Sequence, residues 1–570
     1  MIKYLKKYWF FCLLAPLFMV GEVAMDLLQP ELMSTIVDDG VLAKNMDIIL
    51  SVGIRMIVLV LFGGVCGILS GVFANLAAQR FANDLRKAVF SKIMRLSFEQ
   101  TDKISTGSLV TRLTNDITQV QNMVMMLIRM AVRNGVMFFG GIIMLYFQSP
   151  KFALITVCTL PFVIGIIIFF MLKASPMFST VQKKLDGVNN VMQEDVTGAR
   201  VVKAYVKEDY ELARFDRANG ELCSINLKVQ SLLAFMSPLM NIVMNLCVVA
   251  VLYVAGISVA NGTSGASTGD IMASITYVSQ IMHGVLMVAN IFQTFTRSKA
   301  SAARIREVLN ADDIIVDGEM ENAPTAMGEI EFRNVSFTYP GANYPVLSDI
   351  SFKIGAGETF AILGATGSGK SSLVNLIPRF YDATDGEILV DGVNVKDYKL
   401  CELRDRVGIV LQKAELYSRS IEANIRWGKD EATPFEIKRA AEIAQADDFI
   451  CAKSQGYYTQ VTEGGHSLSG GQKQRISVAR SVLKDSEILI FDDSTSALDL
   501  ATEARLYSAL KEERPYTTKI IIAQRIASVK KADRIAVLDK GRIAALGDHE
   551  ELMATSEIYR DIYNSQLKEG

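Results

Sequence analysis

Gly364-Ala365-Thr366-Gly367-Ser368-Gly369-Lys370-Ser371 has the form GxxxxGKS and stands between a short apolar run, Thr359–Leu363, and a helical pattern, Ser372–Phe380. Glycines let a backbone fold round phosphate oxygens with successive N–H groups pointing inward, and a helix N-terminus adds a favourable dipole. Lys370 is placed to reach the outer phosphates of a nucleotide and Ser371 to ligate Mg²⁺, with Ser372 following in the same turn. Strand, glycine loop and helix in this order define a P-loop, and with it an α/β nucleotide-binding domain.

Two further stretches complete the pattern. Ile488-Leu489-Ile490-Phe491-Asp492 reads as a second buried strand ending in a carboxylate, which places Asp492 beside the P-loop to hold Mg²⁺ through water. A carboxylate there is also an ordinary helix cap, here before Ser494–Ala497. Between the two lies Leu468-Ser469-Gly470-Gly471-Gln472-Lys473-Gln474-Arg475, which opens a helix and offers a second anion site at its N-terminus. One ATP does not need two such sites far apart in one domain. Two domains facing head to tail would each supply one to the other's nucleotide, so the sequence implies a dimer with two ATP molecules at its interface.

Toward the N-terminus the composition changes. The chain has 570 residues, 50% of them hydrophobic, and a positive mean hydropathy. The apolar excess lies almost wholly before residue 300. Six stretches are long and apolar enough to cross a bilayer, at 9–30, 50–79, 123–148, 152–173, 231–260 and 270–296. Lys and Arg concentrate before the first span, between the second and third (Arg80, Arg86, Lys87, Lys92, Arg95, Lys103, Arg112) and between the fourth and fifth (Lys183, Lys184, Arg200, Lys203, Lys207, Arg214, Arg217). The opposite connectors, around Asp38 to Asp47, Gln148 to Lys151 and Asn261–Gly269, are poor in base. The N-terminus and the nucleotide-binding domain therefore lie in the cytoplasm. The two long cytoplasmic segments carry helical periodicity, for example Val181–Lys203, so the membrane helices are expected to continue into the cytoplasm and reverse at short tips able to touch a cytoplasmic domain. The domain plan is a membrane domain at 1–310, an acidic linker with Pro324 at 311–329 and the nucleotide-binding domain at 330–570.

The net charge of −2 excludes a nucleic-acid partner, which needs a basic stripe. Seven scattered cysteines form no CxxC pair, so neither a disulfide framework nor a zinc site is expected. No cleavable signal peptide is expected, since the first apolar stretch has no small-residue cleavage site. Glu22 and Asp26 sit one helical turn apart in the first span, as do Arg129 and Arg133 in the third. One reading makes them a substrate or proton-linked site, another an internal charge pairing or a helix end among headgroups. The methionines Met123, Met125, Met126 and Met130 suit a promiscuous apolar cavity and are also ordinary membrane-core residues.

P-loop, LSGGQ and the Walker B strand in this order, fused behind six spans, resemble the ABC exporters over nearly the whole chain. The resemblance implies a membrane all-α six-helix domain with long cytoplasmic helical extensions plus an α/β P-loop ATPase domain, working with ATP and Mg²⁺. It casts Tyr339 as the aromatic that stacks on adenine and Gln412 as the glutamine that senses Mg²⁺. Thr462–Gly465 is similar to the exporter-specific loop before the signature, and Ser496-Ala497-Leu498-Asp499 to the D-loop, with Asp499 near the nucleotide. Thr106–Asp116 is similar to the first cytoplasmic tip and Gly198–Tyr205 to the approach to the second.

Two positions depart from the family pattern. Asp493 stands where active members carry a glutamate as base for the attacking water, and Gln524 stands where they carry the switch histidine. The three histidines are His283, His466 and His549, and His549 is expected at the surface of the C-terminal region. The pattern resembles the impaired-site half of heterodimeric bacterial multidrug exporters. It implies a partner half-exporter with the consensus glutamate and histidine, an amphipathic small-molecule substrate moved by alternating access, and a multi-pass place among the lipids of the cell membrane. The alternatives are a slow homodimeric lipid or peptide exporter and an ATP-sensing membrane regulator that does not pump.

Overall fold

The structure is a computed structural model. It describes residues 1–260, 267–320, 324–325, 327–465 and 467–568. The core of the connector at 261–269, part of the linker at 311–329 and His466 therefore lie outside the described residues. The chain forms two compact units: Met1–Met94 with Thr106–Ala311, and Arg95–Ser105 with Asp312–Gly570.

The first unit is all helix. Among the described residues, five helical runs are long and apolar enough to span a bilayer: Trp9–Leu42, Met46–Ile93, Thr106–Gln148, Pro150–Thr197 and Glu208–Ile257. The sixth expected span lies in the helix Thr268–Leu309, several side chains of which are not described. Met46–Ile93 and Pro150–Thr197 have 48 residues each. At 1.5 Å per residue such a helix reaches ~72 Å, more than twice a hydrocarbon core of ~30 Å. The excess length forms the cytoplasmic extensions. Pro150 opens its helix at the first turn, where a missing N–H costs nothing, so Ser149 alone separates it from Gln148.

The core of this unit gathers Met19, Val23 and Leu27 from the first helix with Leu145, Val163, Val251 and Ile281. Tyr277 is fully buried there, and its hydroxyl donates to the Leu27 carbonyl at 2.7 Å. Asp116 is also buried, and accepts from Ser301 Oγ at 2.8 Å and Arg304 Nε at 2.7 Å. Arg133 Nη2 lies 3.2 Å from Asp26 and 3.7 Å from Glu22. The internal charge pairing foreseen for these positions is therefore present at Arg133. All seven cysteines are free thiols.

The tips differ from the sequence reading. The first reversal is a short helix, Phe98–Ile104, and not Thr106–Asp116, which begins the returning helix. Ser97 starts it with a capping box to Gln100, and Ser105 ends it at φ +62°. The second reversal falls on Gly198–Tyr205 itself: the long helix stops at Thr197, a short helix spans Ala199–Ala204, and Val206 turns at φ +50° before the next helix starts at Glu208.

The second unit holds two sheets. The strands are β1 Ile330–Phe337, β2 Leu347–Ile354, β3 Thr359–Leu363, β4 Asp385–Val390, β5 Val393–Asn394, β6 Val407–Val410, β7 Ile488–Asp492, β8 Thr518–Ala523, β9 Arg534–Asp539 and β10 Arg542–Gly547. An antiparallel sheet has the order β2-β1-β4-β5, and a larger one the order β10-β9-β3-β8-β7-β6. In the larger sheet β6, β7, β8, β3 and β9 run parallel, and only β10 is antiparallel. Alternate residues of β3 enter different cores, Ala361 and Leu363 one and Phe360 and Ile362 the other, so both faces of this sheet are covered. The linker is tied down along its described part: Gly318 N donates to Tyr398 O, and Gly328 N and Glu329 N donate to Asp391 Oδ1.

Candidate functional site

The strand register sets the site. Leu363 of β3 pairs with Ala523 of β8, and Asp492 of β7 pairs with Ile522 of β8. The residues that follow these three strands therefore emerge together at the carboxyl edge of a parallel sheet, where open α/β sheets bind ligands. They are the P-loop, Asp493 and Gln524.

The P-loop takes the conformation its glycines allow. Gly367 has φ +83° and Gly369 φ +102°, backbone that a side chain would strain. A Cβ on Gly367 would meet nothing within 4 Å, so the loop is open on that side. Lys370 Nζ folds back to donate to the carbonyls of Gly364 and Ala365, both at 2.8 Å. Among the described residues Ser368 Oγ is buried without a hydrogen-bond partner, an orphan polar atom in the cradle. The helix after the loop spans Lys370–Asn375 only, and turns replace the expected continuation to Phe380. Pro378 accounts for this, since it disfavours helical backbone at the residue before it.

Ser371 Oγ donates to Asp492 Oδ1 at 2.7 Å, so the two expected Mg²⁺ ligands meet. Burial pushes the Asp492 carboxyl above its ordinary pKa, against the Ser371 hydrogen bond, and burial pushes the Lys370 ammonium below its own. A buried carboxylate with a hydroxyl beside it, a buried ammonium and an orphan hydroxyl in an open glycine loop fit a Mg²⁺-nucleotide: Asp492 and Ser371 would hold the cation, and Lys370 and the loop would hold the phosphates. Tyr339 lies alongside, its hydroxyl 3.0 Å from Ser372 Oγ and its ring packed on Phe337 and Tyr381. Gln412 follows β6 at the far edge of the sheet. Its side chain is exposed and has no hydrogen bond to Ser371 or Asp492 among the described residues.

The two departures touch each other. Gln524 Nε2 donates to Asp493 Oδ2 at 2.9 Å, and Asp493 itself sits at φ +46°. A cavity of about 160 Å³ opens beside them, lined also by Ser496 and Glu503. Glu503 is buried and accepts from Thr495 Oγ1 at 2.6 Å.

The signature segment is built separately. Ser469 caps the helix Gly470–Leu483 with a full capping box: its hydroxyl accepts from Gln472 N and Gln472 Oε1 accepts from Ser469 N. Gly471 leaves room for the D-loop, since a Cβ there would meet Ala497 O at 2.9 Å, and Gln474 Oε1 accepts from Ala497 N. Asp499 caps the following helix by accepting from Thr502 N, and that bond holds its carboxyl below the usual range. Ile476 and Val478 of the signature helix belong to one core, and Leu373 and Val374 after the P-loop to the other. Among the described residues no hydrogen bond joins Ser469–Gln472 to the P-loop.

Sequence reasoning missed a cluster around the first reversal. Phe98 packs against Phe380 with ring centres 4.6 Å apart and the rings tilted by 38°, the Tyr381 hydroxyl donates to Asp102 at 2.8 Å, and Gln100 Nε2 donates to Asp312 O at 2.7 Å. The Ser97-x-x-Gln100 capping box was the available signal. His549 is half-buried against the Tyr559 hydroxyl at 2.7 Å, more enclosed than expected.

A nucleotide cradle and a separate, capped signature helix behind a bundle of very long membrane helices define an ABC-type membrane ATPase. Residues 12–285 match the family of the ABC transporter transmembrane region, and residues 347–496 the ABC transporter family. The chain is 38% identical over its full length to an uncharacterised ABC transporter ATP-binding protein, YfiB, of Bacillus subtilis, covering 99% of that relative. It is 33% identical to an ATP-dependent lipid A-core flippase of Syntrophus aciditrophicus, over 97% of this chain and 93% of that one. Its fold matches a solved bacterial Atm1-family ABC exporter with ATP bound at a TM-score of 0.82, with 24% identity, over 99% of this chain and 98% of that one. The chain belongs to the ABC transporters: it is a half-transporter, a multi-span membrane protein with an N-terminal membrane domain and an ATP-hydrolysing domain in one polypeptide.

Proposed function

We propose that this half-exporter moves amphipathic or hydrophobic compounds out of the cell by alternating access, as the impaired-site half of a heterodimer. The observation that carries the reading is the Gln524–Asp493 hydrogen bond, at the carboxyl edge of the sheet beside an intact P-loop and apart from an intact signature. Aspartate is one methylene shorter than glutamate, which draws the carboxylate back by ~1 Å, and a misplacement of that size can cost ~10²-fold in rate. Its carboxylate is also held by a glutamine that hydrogen-bonds but cannot titrate.

On this reading Lys370 and the N–H groups of Gly364–Ser371 hold the phosphates, Tyr339 supports the base, and Ser371, Asp492 and Gln412 hold Mg²⁺. The cation, when bound, neutralises phosphate charge. Ser469–Gln472 of this chain complete the partner's site, where the partner's own glutamate and histidine perform hydrolysis. The long helices transmit closure and opening of the ATPase domains to the membrane spans. Alternation requires that the closed dimer bind nucleotide better than the open one.

A slow homodimeric lipid exporter is the second reading, favoured by the relatives named lipid A-core flippases. ATP hydrolysis by the purified chain, alone and co-purified with a second half-exporter, separates the two. The heterodimer reading expects weak hydrolysis alone and at least ~10²-fold more with the partner. Robust hydrolysis by the chain alone would overturn it.

A further inference from the structure

We infer that the ATPase unit holds a further anion site, apart from the P-loop and the signature, for a compact organic phosphate monoester. This goes beyond the exporter reading and stands whether or not the chain is the impaired half of a pair. A cleft of about 340 Å³ lies between the helix Leu500–Glu513 and the segment 527–532, and Lys511, Lys519, Lys530 and Lys531 all stand on its wall.

Strand register gathers the lysines at one end. Thr359 of β3 pairs with Lys519 of β8, and Phe360 pairs with Arg534, the first residue of β9. Lys530 and Lys531 lead into that strand. All three therefore lie at the amino edge of the sheet, the edge away from the P-loop. Lys511 joins them from the last turn of the helix above. Among the described residues Glu503 is the one carboxylate on the wall. It sits about two turns earlier in the helix, ~12 Å back along its axis, and is engaged by Thr495 Oγ1 at 2.6 Å.

The basic end lacks a counter-ion of its own. Lys511, Lys530 and Lys531 are exposed and form no ion pair among the described residues. Lys519 is 3% exposed. Its Nζ donates to the carbonyls of Arg514 at 2.7 Å and Thr517 at 2.8 Å, which leaves one of its three N–H groups unused. Asp533 acts on it from a distance, with its carboxylate bonded to Thr359 N at 2.8 Å. Burial pushes the Lys519 ammonium down to about 8 against the pull of Asp533, and Lys511 adds to the fall. A buried ammonium beside a like charge, with no carboxylate paired to it, is relieved by an anion. A phosphate monoester brings up to two charges and three strong acceptor oxygens, and lysines bind phosphate as point charges.

The rest of the cleft sets the body of the ligand. Ala504 and Tyr507 of the helix and Ile521 of β8 line its middle. Its volume is at the small end of the ~300–1,000 Å³ typical of ligand sites, which suits a single ring better than a long chain. The far end reaches Glu503 and Ser528, which also line the cavity beside Asp493 and Gln524. An occupant thus braces the helix after the D-loop against the segment after Gln524.

The test uses the full-length chain in nanodiscs at pH 8, with saturating Mg²⁺-ADP so that the P-loop does not compete. The probes are phenyl phosphate, inorganic phosphate and phenyltrimethylammonium, followed by calorimetry. Phenyl phosphate is expected to bind at least about tenfold more tightly than inorganic phosphate, the worth of burying part of a ring, and the ammonium not at all. Amide exchange should slow in Leu500–Glu513 and in 527–532 while β1 is unaffected. Lys530→Gln together with Lys531→Gln should weaken phenyl phosphate by at least about tenfold. Ala504→Trp should block it by filling the cleft, and Lys438→Gln, on another helix, should change nothing. Binding should also take up about half a proton, because Lys519 is about half charged at this pH and a neighbouring anion raises its pKa. Lys519→Met should abolish that uptake. Retained ADP binding reports that each variant is folded. Should Lys519→Met not fold, the double lysine variant and Ala504→Trp decide. The site is overturned by any of four results: no binding of phenyl phosphate, equal binding of the ammonium, no gain over inorganic phosphate, or binding that survives Ala504→Trp. Proton uptake that persists in a folded Lys519→Met chain overturns it as well.

Discussion

At the residue scale the decisive pair is Asp493 and Gln524. Each departs from the family pattern, and the structure bonds them to each other at 2.9 Å. A glutamate at 493 would carry its carboxylate about one bond farther from β7, yet Gln524 would still hold it with a donor that cannot accept a proton. Asp493→Glu alone should therefore raise single-turnover ATP hydrolysis by the purified chain less than about tenfold. Asp493→Glu with Gln524→His should raise it by about 10²-fold or more, within the range of a restored general base. Full recovery from the single change would show that side-chain length was the only defect. The motifs themselves were legible because backbone chemistry demands them: φ +83° and φ +102° call for glycine at 367 and 369, and a loop facing phosphate calls for Lys370. The Gln524–Asp493 bond was not legible, because it depends on the register of β7 against β8 and on the backbone of Asp493 at φ +46°.

At the element scale the short helix Phe98–Ile104 joins the ATPase unit and not the membrane unit. It is held by the tilted Phe98–Phe380 ring contact, by Tyr381 to Asp102 and by Gln100 to the Asp312 carbonyl. Phe98 remains 47% exposed, so the ring contact and not full burial is what a truncation removes. Phe98→Ala should cost about 1 kcal/mol, as aromatic pairs do. Amide hydrogen exchange within Arg95–Ser105 should then speed up by roughly fivefold, while β3 stays protected. Unchanged exchange in that segment would show that the two side-chain hydrogen bonds suffice. The sequence located this region to within about ten residues but misplaced the reversal. The Thr106–Asp116 pattern is helical and belongs to the returning helix, whereas the true tip is marked by the Ser97–Gln100 capping box and by Ser105 at φ +62°. Tertiary partners contributed by Phe380 and Tyr381, about 280 residues away in the chain, cannot be read from local pattern.

At the scale of the whole molecule the two anion-facing segments of the ATPase unit contribute to different cores on the two faces of one sheet. Both are intact, and the departures from the family pattern lie at Asp493 and Gln524. In a heterodimer these segments serve different nucleotides: the P-loop the impaired site, Ser469–Gln472 the competent one. Substitutions in this single chain should therefore have unequal effects on hydrolysis by the pair. On the heterodimer reading Lys370→Ala disables only the slower site and should lower steady-state hydrolysis by less than about tenfold. Ser469→Arg removes the cap and, on the same reading, places a bulky side chain where the partner's phosphates would lie, so it should lower hydrolysis by about 10²-fold or more, the scale of losing a group that stabilises developing charge. Loss of the capping box alone costs about 1 kcal/mol, so Ser469→Ala, with the cap gone and no bulk added, separates folding from chemistry: it should shift the thermal midpoint as much as Ser469→Arg does and hydrolysis far less. Equal losses from Lys370→Ala and Ser469→Arg would mean that both sites hydrolyse alike, and the division of labour read from Asp493 and Gln524 would fall.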